Sequence, residues 1–151
     1  YKGKKYNAPN DLVIDAKGRI FFTDPRYGGT EPRELAHRAV YRIDTDGTVT
    51  QITTATEKPN GIILSPDGET LYAADHNTGS DGIVAGEKVI PGAMNILAFG
   101  LDDKGNVSKP RVLYDFNKGP GSEDPGCDGM TVDVKGNLYL TSRNPKRPGV
   151  M

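Results

Sequence analysis

Three polar side chains occupy the same position in three similar segments of the chain. Asn10 and Asn60 each follow a proline, Asp128 follows Cys127, and each of the three lies eight residues before a glycine. Amide and carboxylate oxygens are ligands that a hard cation such as Ca²⁺ prefers, whereas softer metals favour imidazole or thiolate. If the fold brings these residues together, they could bind a divalent cation that polarises a substrate carbonyl.

Each of these residues could also be an ordinary turn residue, because Asn and Asp are common immediately before strands. Three oxygen-bearing side chains at one offset are harder to explain in that way, since ordinary turns need not repeat the residue type. The repeat therefore favours a shared site. Within the first segment, Asn10 is expected to matter more than its neighbour Asp11.

The segments that carry these residues are predicted to be β-hairpins. They read PNDLVIDAKGRIFFTD, PNGIILSPDGETLYAAD and CDGMTVDVKGNLYLTS, with apolar residues alternating on both sides of a glycine turn. A second strand pair follows the first hairpin, as AVYRID and TVTQIT, and another follows the second, as MNILAFGLD and VSKPRVLYDF. The sequence thus predicts an all-β chain with four strands per repeat.

Four-stranded units that recur every ~40–50 residues are typical of β-propeller blades. Blade units are predicted to begin near residues 9, 59 and 127, with an insertion over His76 to Ala93. Blades surround an axis, so equivalent positions meet at one mouth of the central channel, and Asn10, Asn60 and Asp128 would converge there. About three blades are too few to close a ring, so residues 1–151 are predicted to be part of a larger propeller domain, with a ring completed by another copy as the alternative.

Composition excludes several classes of function. The 151 residues include 19 basic and 20 acidic side chains without a long run of one sign, which argues against a nucleic-acid partner. No apolar stretch approaches the ~18 residues of a membrane span, and no leader pattern opens the chain. One cysteine, Cys127, leaves no internal disulfide and is expected to be a packed small residue. The sequence does not choose between cytoplasmic and exported locations, nor does it give an oligomeric state.

Other polar residues could belong to the same region. His76 is expected to be a surface or loop histidine, with the channel mouth as the alternative. Asp24 and Asp75 end equivalent strands, either as partners of the site or as blade-turn residues. Tyr27 could line a pocket or pack on its blade. The acidic segment at residues 121–126 lacks the spacing of an EF-hand and is expected to be a solvated loop.

The motifs themselves resemble those of the SMP-30/gluconolactonase/luciferin-regenerating-enzyme family, in its gluconolactonase branch. PND followed by FTDP-x-YG, PNG followed by SPDG-x-x-LY, and DGM-x-VD-x-x-GN occur in the family's order over nearly the whole chain. The resemblance implies a six-bladed propeller with one divalent metal, usually calcium, at the channel mouth, and hydrolysis of lactones.

The resemblance also implies roles for individual residues. Asn10 matches a metal- and substrate-contacting asparagine, Asn60 a metal ligand, and Asp128 a metal ligand that serves as the general base. The family's remaining ligand is a glutamate that would precede Tyr1. Some members carry an arginine where Ala8 and Pro9 stand here, so a substrate contact from that side is not expected.

Together these inferences predict a metal-dependent hydrolase that opens a sugar lactone, with Ca²⁺ as cofactor and Mg²⁺ or Zn²⁺ as alternatives. A non-catalytic propeller that binds or scaffolds, and a hydrolase of organophosphates or other esters, are the rival functions. The 151-residue chain by itself is expected to be poorly active, because one metal ligand and half the ring would be missing.

Overall fold

The computed structural model describes residues 1–29, 31–79, 90–118, 126–142 and 149–150, which form three antiparallel β-sheets. Strands follow one another in chain order within each sheet, so each sheet is a simple meander. The all-β prediction is confirmed, because the described ranges contain no α-helix. In consequence, no helix long and apolar enough to cross a membrane occurs among those residues.

The sheets correspond to the predicted blades. The first blade has four strands: β1 (Leu12–Ile14), β2 (Ile20–Asp24), β3 (Ala39–Ile43) and β4 (Val49–Thr53). The second has four more: β5 (Pro59–Leu64), β6 (Thr70–His76), β7 (Met94–Gly100) and β8 (Arg111–Asp115). In the third, the described strands are β9 (Cys127–Val132), β10 (Leu138–Ser142) and β11 (Gly149–Val150). Residues 80–89 of the predicted insertion lie outside the described ranges.

Four of the described hairpins turn through an Asp-x-x-Gly unit, and in the β5–β6 hairpin Ser65 takes the place of the aspartate. In one turn, an Asp133 carboxylate oxygen accepts the main-chain N–H groups of Lys135 and Asn137, each at 2.9 Å. The Asn137 side chain donates to the other oxygen at 2.8 Å, and this hydrogen bond is the main reason that the pKa of Asp133 lies below its usual value. Gly136 adopts a φ of 85°, a left-handed conformation that glycine tolerates best. The glycine turns of the sequence are therefore closed by side-chain caps.

Two apolar layers join the blades face to face. Phe21 and Val40 of the first blade pack against the second blade's Ile62, Leu64, Leu71, Ala73, Leu97 and Phe99. The opposite face of the second blade meets Cys127 of the third through Ala74, Met94, Ile96 and Phe116. Because the second sheet is apolar on both faces, the first and third blades stack on either side of it, as in a β-propeller.

On the outer face of the first blade, Tyr1 and Tyr6 pack on the buried Phe22 and Tyr41, so within the described residues only the first strand of that face is uncovered. Leu12 and Ile14 are 56% and 57% exposed, whereas Ile62 and Leu64, which occupy the equivalent positions of the second blade, are 2% and 9% exposed. The difference arises because the first blade covers the second on that side.

Candidate functional site

Asn10 and Asn60 are both tied to one residue, Thr23. Asn10 precedes β1 and is exposed, and its main-chain N–H donates to the Thr23 carbonyl at 3.0 Å. Asn60 lies in β5 and is 3% exposed, and its carbonyl accepts the Thr23 hydroxyl at 2.7 Å. The end of β2 therefore holds the main chains of both residues, although 50 positions separate them in the sequence.

Asp11 also links the first and second blades across the boundary between them, which we call a seam. Its side chain accepts the main-chain N–H of Ile62 at 3.0 Å, and its own N–H donates to the Thr23 hydroxyl oxygen at 3.1 Å. This carboxylate bridges two blades, a structural role that is separate from the prediction that Asn10 matters more to the site. Its role depends on the neighbouring blade, which the sequence of one hairpin does not reveal.

The main chain of Asp128 lies against the second blade beside Asn60. A Cβ atom placed on Gly61 would be 2.6 Å from the Asp128 carbonyl oxygen, so the two strands approach more closely than a side chain permits. The Thr141 hydroxyl oxygen accepts the N–H groups of Asp128 and Gly129 at 3.2 and 3.0 Å. Residue 128 itself is exposed at the start of β9. The main chains at all three predicted positions are thus linked across the blade seams.

Two buried carboxylates hold the loops that precede the asparagines. Asp24 accepts the main-chain N–H groups of Asn7 and Ala8 at 2.9 and 2.7 Å. In the second blade Asp75 does the same for Glu57 and Lys58, at 2.8 and 2.6 Å. In both blades the donors lie three and two residues before the asparagine, so these carboxylates act on the loop main chain.

Burial outweighs these hydrogen bonds in setting the acidity of both carboxylates. Desolvation raises the pKa of Asp75 to about 6 and that of Asp24 above its usual value, while the amide hydrogen bonds work in the opposite direction. The sequence leaves Asp24 and Asp75 either as partners of the site or as blade-turn residues, and their contacts are with the main chain of the loops that lead into the asparagines. Ser142 occupies the equivalent position in the third blade and is also buried.

His76 is buried, which corrects the expectation of a surface or loop histidine. Only 2% of it is exposed, and Nδ1 lies 3.1 Å from the carbonyl oxygen of Cys127, next to Asp128 in the chain. The Tyr27 hydroxyl is 3.1 Å from the Lys58 carbonyl oxygen and 3.2 Å from that of His76. Tyr27 therefore packs on the second blade, and its ring lies 4.7 Å from the Lys58 ammonium.

Cys127 is 1% exposed within the layer between the second and third blades, as expected for a packed small residue. Its thiol lies 3.2 Å from the Gly129 carbonyl oxygen. Of the acidic segment at residues 121–126, only Gly126 falls among the described residues.

The donor set suits a hard cation more than a soft one. Asn10 and Asn60 offer amide oxygens and Asp128 a carboxylate, which matches calcium chemistry. In the part of the chain that the structure describes, no hydrogen bond joins the nearly buried Asn60 side chain to another residue, so its amide is available to a ligand. No group of three or more His, Cys, Asp or Glu side chains capable of holding a metal occurs there.

Comparisons with known proteins identify relatives. The chain is 33% identical to a gluconolactonase from Zymomonas mobilis, over 94% of this chain and 38% of that protein. It is 30% identical to a pentonolactonase from Haloferax volcanii, over 86% of this chain and 36% of the relative. The chain thus spans less than half the length of the curated relatives it matches.

Solved structures agree with this relationship. A gluconolactonase from Xanthomonas campestris superposes with a TM-score of 0.72 at 34% identity, over 94% of this chain and 43% of that one. The family model described as "SMP-30/Gluconolactonase/LRE-like region" matches residues 1–147. The resemblance found in the PND, PNG and DGM motifs is therefore confirmed, as is the propeller fold. The chain belongs to the SMP-30/gluconolactonase/LRE-like family.

Proposed function

We propose that this protein is a metal-dependent hydrolase that opens a sugar lactone. In this proposal Asn10, Asn60 and Asp128 bind a divalent cation, Ca²⁺ in the first instance, Asn10 also contacts substrate, and Asp128 is the general base. The observation that carries the proposal is the linkage of these three oxygen-bearing residues, one from each blade, through the contacts at Thr23 and Gly61. Gluconolactonase and pentonolactonase relatives at 33% and 30% identity support the substrate class.

A bound divalent cation would withdraw electrons from the lactone carbonyl and stabilise negative charge on its oxygen. Asp128 removes a proton from the water molecule that attacks the carbonyl carbon. The ring C–O bond then breaks, and the departing ring oxygen takes up a proton, so the product is an open-chain hydroxy acid. A carboxylate is a weak base, which suffices here because a lactone is a reactive ester. The amide of Asn10 can hydrogen-bond to the hydroxyl groups of the sugar.

The decisive variant is Asp128→Asn, which keeps the size of the side chain and an oxygen ligand but removes the base. We expect hydrolysis of gluconolactone, followed as acid release above the spontaneous rate, to fall at least about a hundredfold, as for the loss of a general base. The folded structure should persist, because residue 128 is exposed. Asp103→Asn, in an exposed turn, is the matched control and should retain wild-type activity.

Retention of lactone hydrolysis by Asp128→Asn would exclude this residue as the base. Calcium titration by calorimetry separates the rival functions, since a binding module would take up ligand without turnover. A phosphotriester assay on the same samples tests the organophosphate alternative, which is favoured only if that substrate is cleaved and lactones are not.

A further inference from the structure

We infer that Thr23 and His76 are positioning residues, which fix the main chain at two predicted metal ligands from across the blade seams. The inference rests on the proposed function. Thr23 acts on Asn60 from the first blade, and His76 acts on Asp128 from the second. Neither side chain is among the predicted ligands, so each would work through the residue that it holds.

The Thr23 hydroxyl is committed to Asn60. Thr23 is completely buried, its oxygen accepts the Asp11 N–H at 3.1 Å, and its proton goes to the Asn60 carbonyl at 2.7 Å. The alternative acceptor, the Asp11 carbonyl oxygen, is 3.5 Å away. The hydroxyl proton therefore crosses the seam.

The equivalent residues of the other blades make this contact distinctive. Thr141, at the same position of the third blade, donates to the Gly129 carbonyl of its own blade at 3.0 Å. In the second blade the position is Ala74, which has no hydroxyl. There, the close approach of Gly61 to the Asp128 carbonyl takes the place of a hydrogen bond. Of these three equivalent residues, only Thr23 has a side chain that hydrogen-bonds to the main chain of a predicted ligand in a neighbouring blade, within the described residues.

His76 reaches the third blade through its ring. A carbonyl oxygen can only accept, so the 3.1 Å contact between Nδ1 and the Cys127 carbonyl requires a proton on Nδ1. The main chain of His76 is fixed in turn, because its N–H donates to the Lys58 carbonyl at 3.0 Å and its carbonyl lies 3.2 Å from the Tyr27 hydroxyl. The ring therefore holds the peptide that precedes Asp128 in a fixed position relative to the first two blades.

Loss of either contact should weaken metal binding more than it weakens the fold. Groups that orient metal ligands typically contribute about 10–100-fold to metal affinity or activity. Thr23→Val keeps the shape of the side chain but leaves the Asn60 carbonyl without its donor, while Thr23→Ser restores the hydroxyl. Likewise His76→Leu removes the ring donor, and His76→Asn restores an N–H close to the position of Nδ1.

The test is calcium affinity, measured by calorimetry on a purified protein that carries this chain within a complete ring of blades, as wild type and as these four variants, with kcat and KM for gluconolactone alongside. We expect the dissociation constant for Ca²⁺ to rise about tenfold in Thr23→Val and His76→Leu. Thr23→Ser and His76→Asn should return to within about threefold of wild type. Thr56→Val is the control, because Thr56 is also buried but its hydroxyl has no hydrogen bond to another described residue.

Outcomes of this test separate the inference from the proposed function. A wild-type protein that binds no Ca²⁺ would overturn both. Calcium affinity that is equal in wild type, Thr23→Val and His76→Leu would overturn the positioning role alone. A lower melting temperature with unchanged affinity in the folded protein would also overturn it, because a purely structural contact predicts that result.

Discussion

Asp75 illustrates how a single residue can support a site without belonging to it. Asp75 is 3% exposed, and its carboxylate accepts two main-chain N–H groups from the loop that leads to Asn60. Burial nevertheless raises its pKa to about 6. The loop is therefore held by a group that changes its charge in mildly acidic solution.

The raised pKa predicts the sign of a pH effect on stability. A carboxyl group whose folded pKa exceeds its unfolded pKa of 3.8 binds its proton more tightly when folded. Its contribution to the free energy of unfolding is present below about pH 4 and is lost as the pH rises to about 6. From that shift, the lost contribution is at most about 3 kcal/mol.

Asp75→Asn should remove this pH dependence. Urea denaturation of wild type and variant at several pH values between about 4 and 7 gives the free energies of unfolding. Relative to the variant, the wild type should lose stability as the pH rises across this interval. Parallel curves for the two proteins would show that Asp75 does not titrate in this way, and Asp103→Asn serves as the exposed control.

For single residues, the sequence reveals a shared position in the repeats but not the contacts that each residue makes. The common offset of Asn10, Asn60 and Asp128 is visible in a single sequence, and their assignment to a metal site stays a prediction. The roles of Thr23 and His76 are not visible, because each acts on a residue 37 or 51 positions away in another blade. The recurrence of threonine at 23 and 141 was the available signal.

Among the structural elements, strands β5 and β9 bring their main chains into close contact beside the candidate site. Gly61 lies where a Cβ atom would be 2.6 Å from the Asp128 carbonyl oxygen and 3.1 Å from the Gly129 Cα. Both contacts are with main chain, which cannot move aside as a flexible side chain can. Strand β5 thus depends on glycine for contact with its neighbour and not for its own conformation.

Two alanine substitutions separate these roles of glycine. Gly68→Ala places a side chain in open space but at a φ of 74°, so it should cost about 1–2 kcal/mol of unfolding free energy and leave the site unchanged. Gly61→Ala forces β5 and β9 apart, so we expect a loss of about 3 kcal/mol or more together with weaker calcium binding. Denaturant titration and calorimetry measure the two effects. A Gly61→Ala protein with wild-type stability and affinity would contradict the seam's role.

The hairpins can be predicted from the local sequence, whereas the contacts between neighbouring blades cannot. Alternating apolar residues and glycine turns predict the strand pairs, and the Asp-x-x-Gly caps explain the turns by contacts within five residues. The seams depend on which blades are neighbours. A glycine such as Gly61, within a predicted strand, is the one local sign of close approach.

For the molecule as a whole, the position of a blade in the ring decides how much an apolar residue contributes to the free energy of unfolding. Ile14 and Leu64 occupy equivalent positions of the first and second blades, yet they are 57% and 9% exposed. Leu64→Ala should therefore cost about 2–5 kcal/mol of unfolding free energy, and Ile14→Ala, measured on the same 151-residue chain, less than about 1 kcal/mol. Equal costs would mean that the outer face of the first blade is covered in solution.

The loop braces at Asp24 and Asp75 have a consequence for how such a molecule can evolve. The first and second blades each fix the loop before the asparagine with a carboxylate from their own second strand, which accepts the N–H groups three and two residues before that asparagine. Loop geometry is therefore inherited with the blade when a repeat is duplicated, separately from the side chain at the position that follows the loop. A repeat protein of this kind can acquire or lose a ligand by one substitution, without first evolving a new loop to present it.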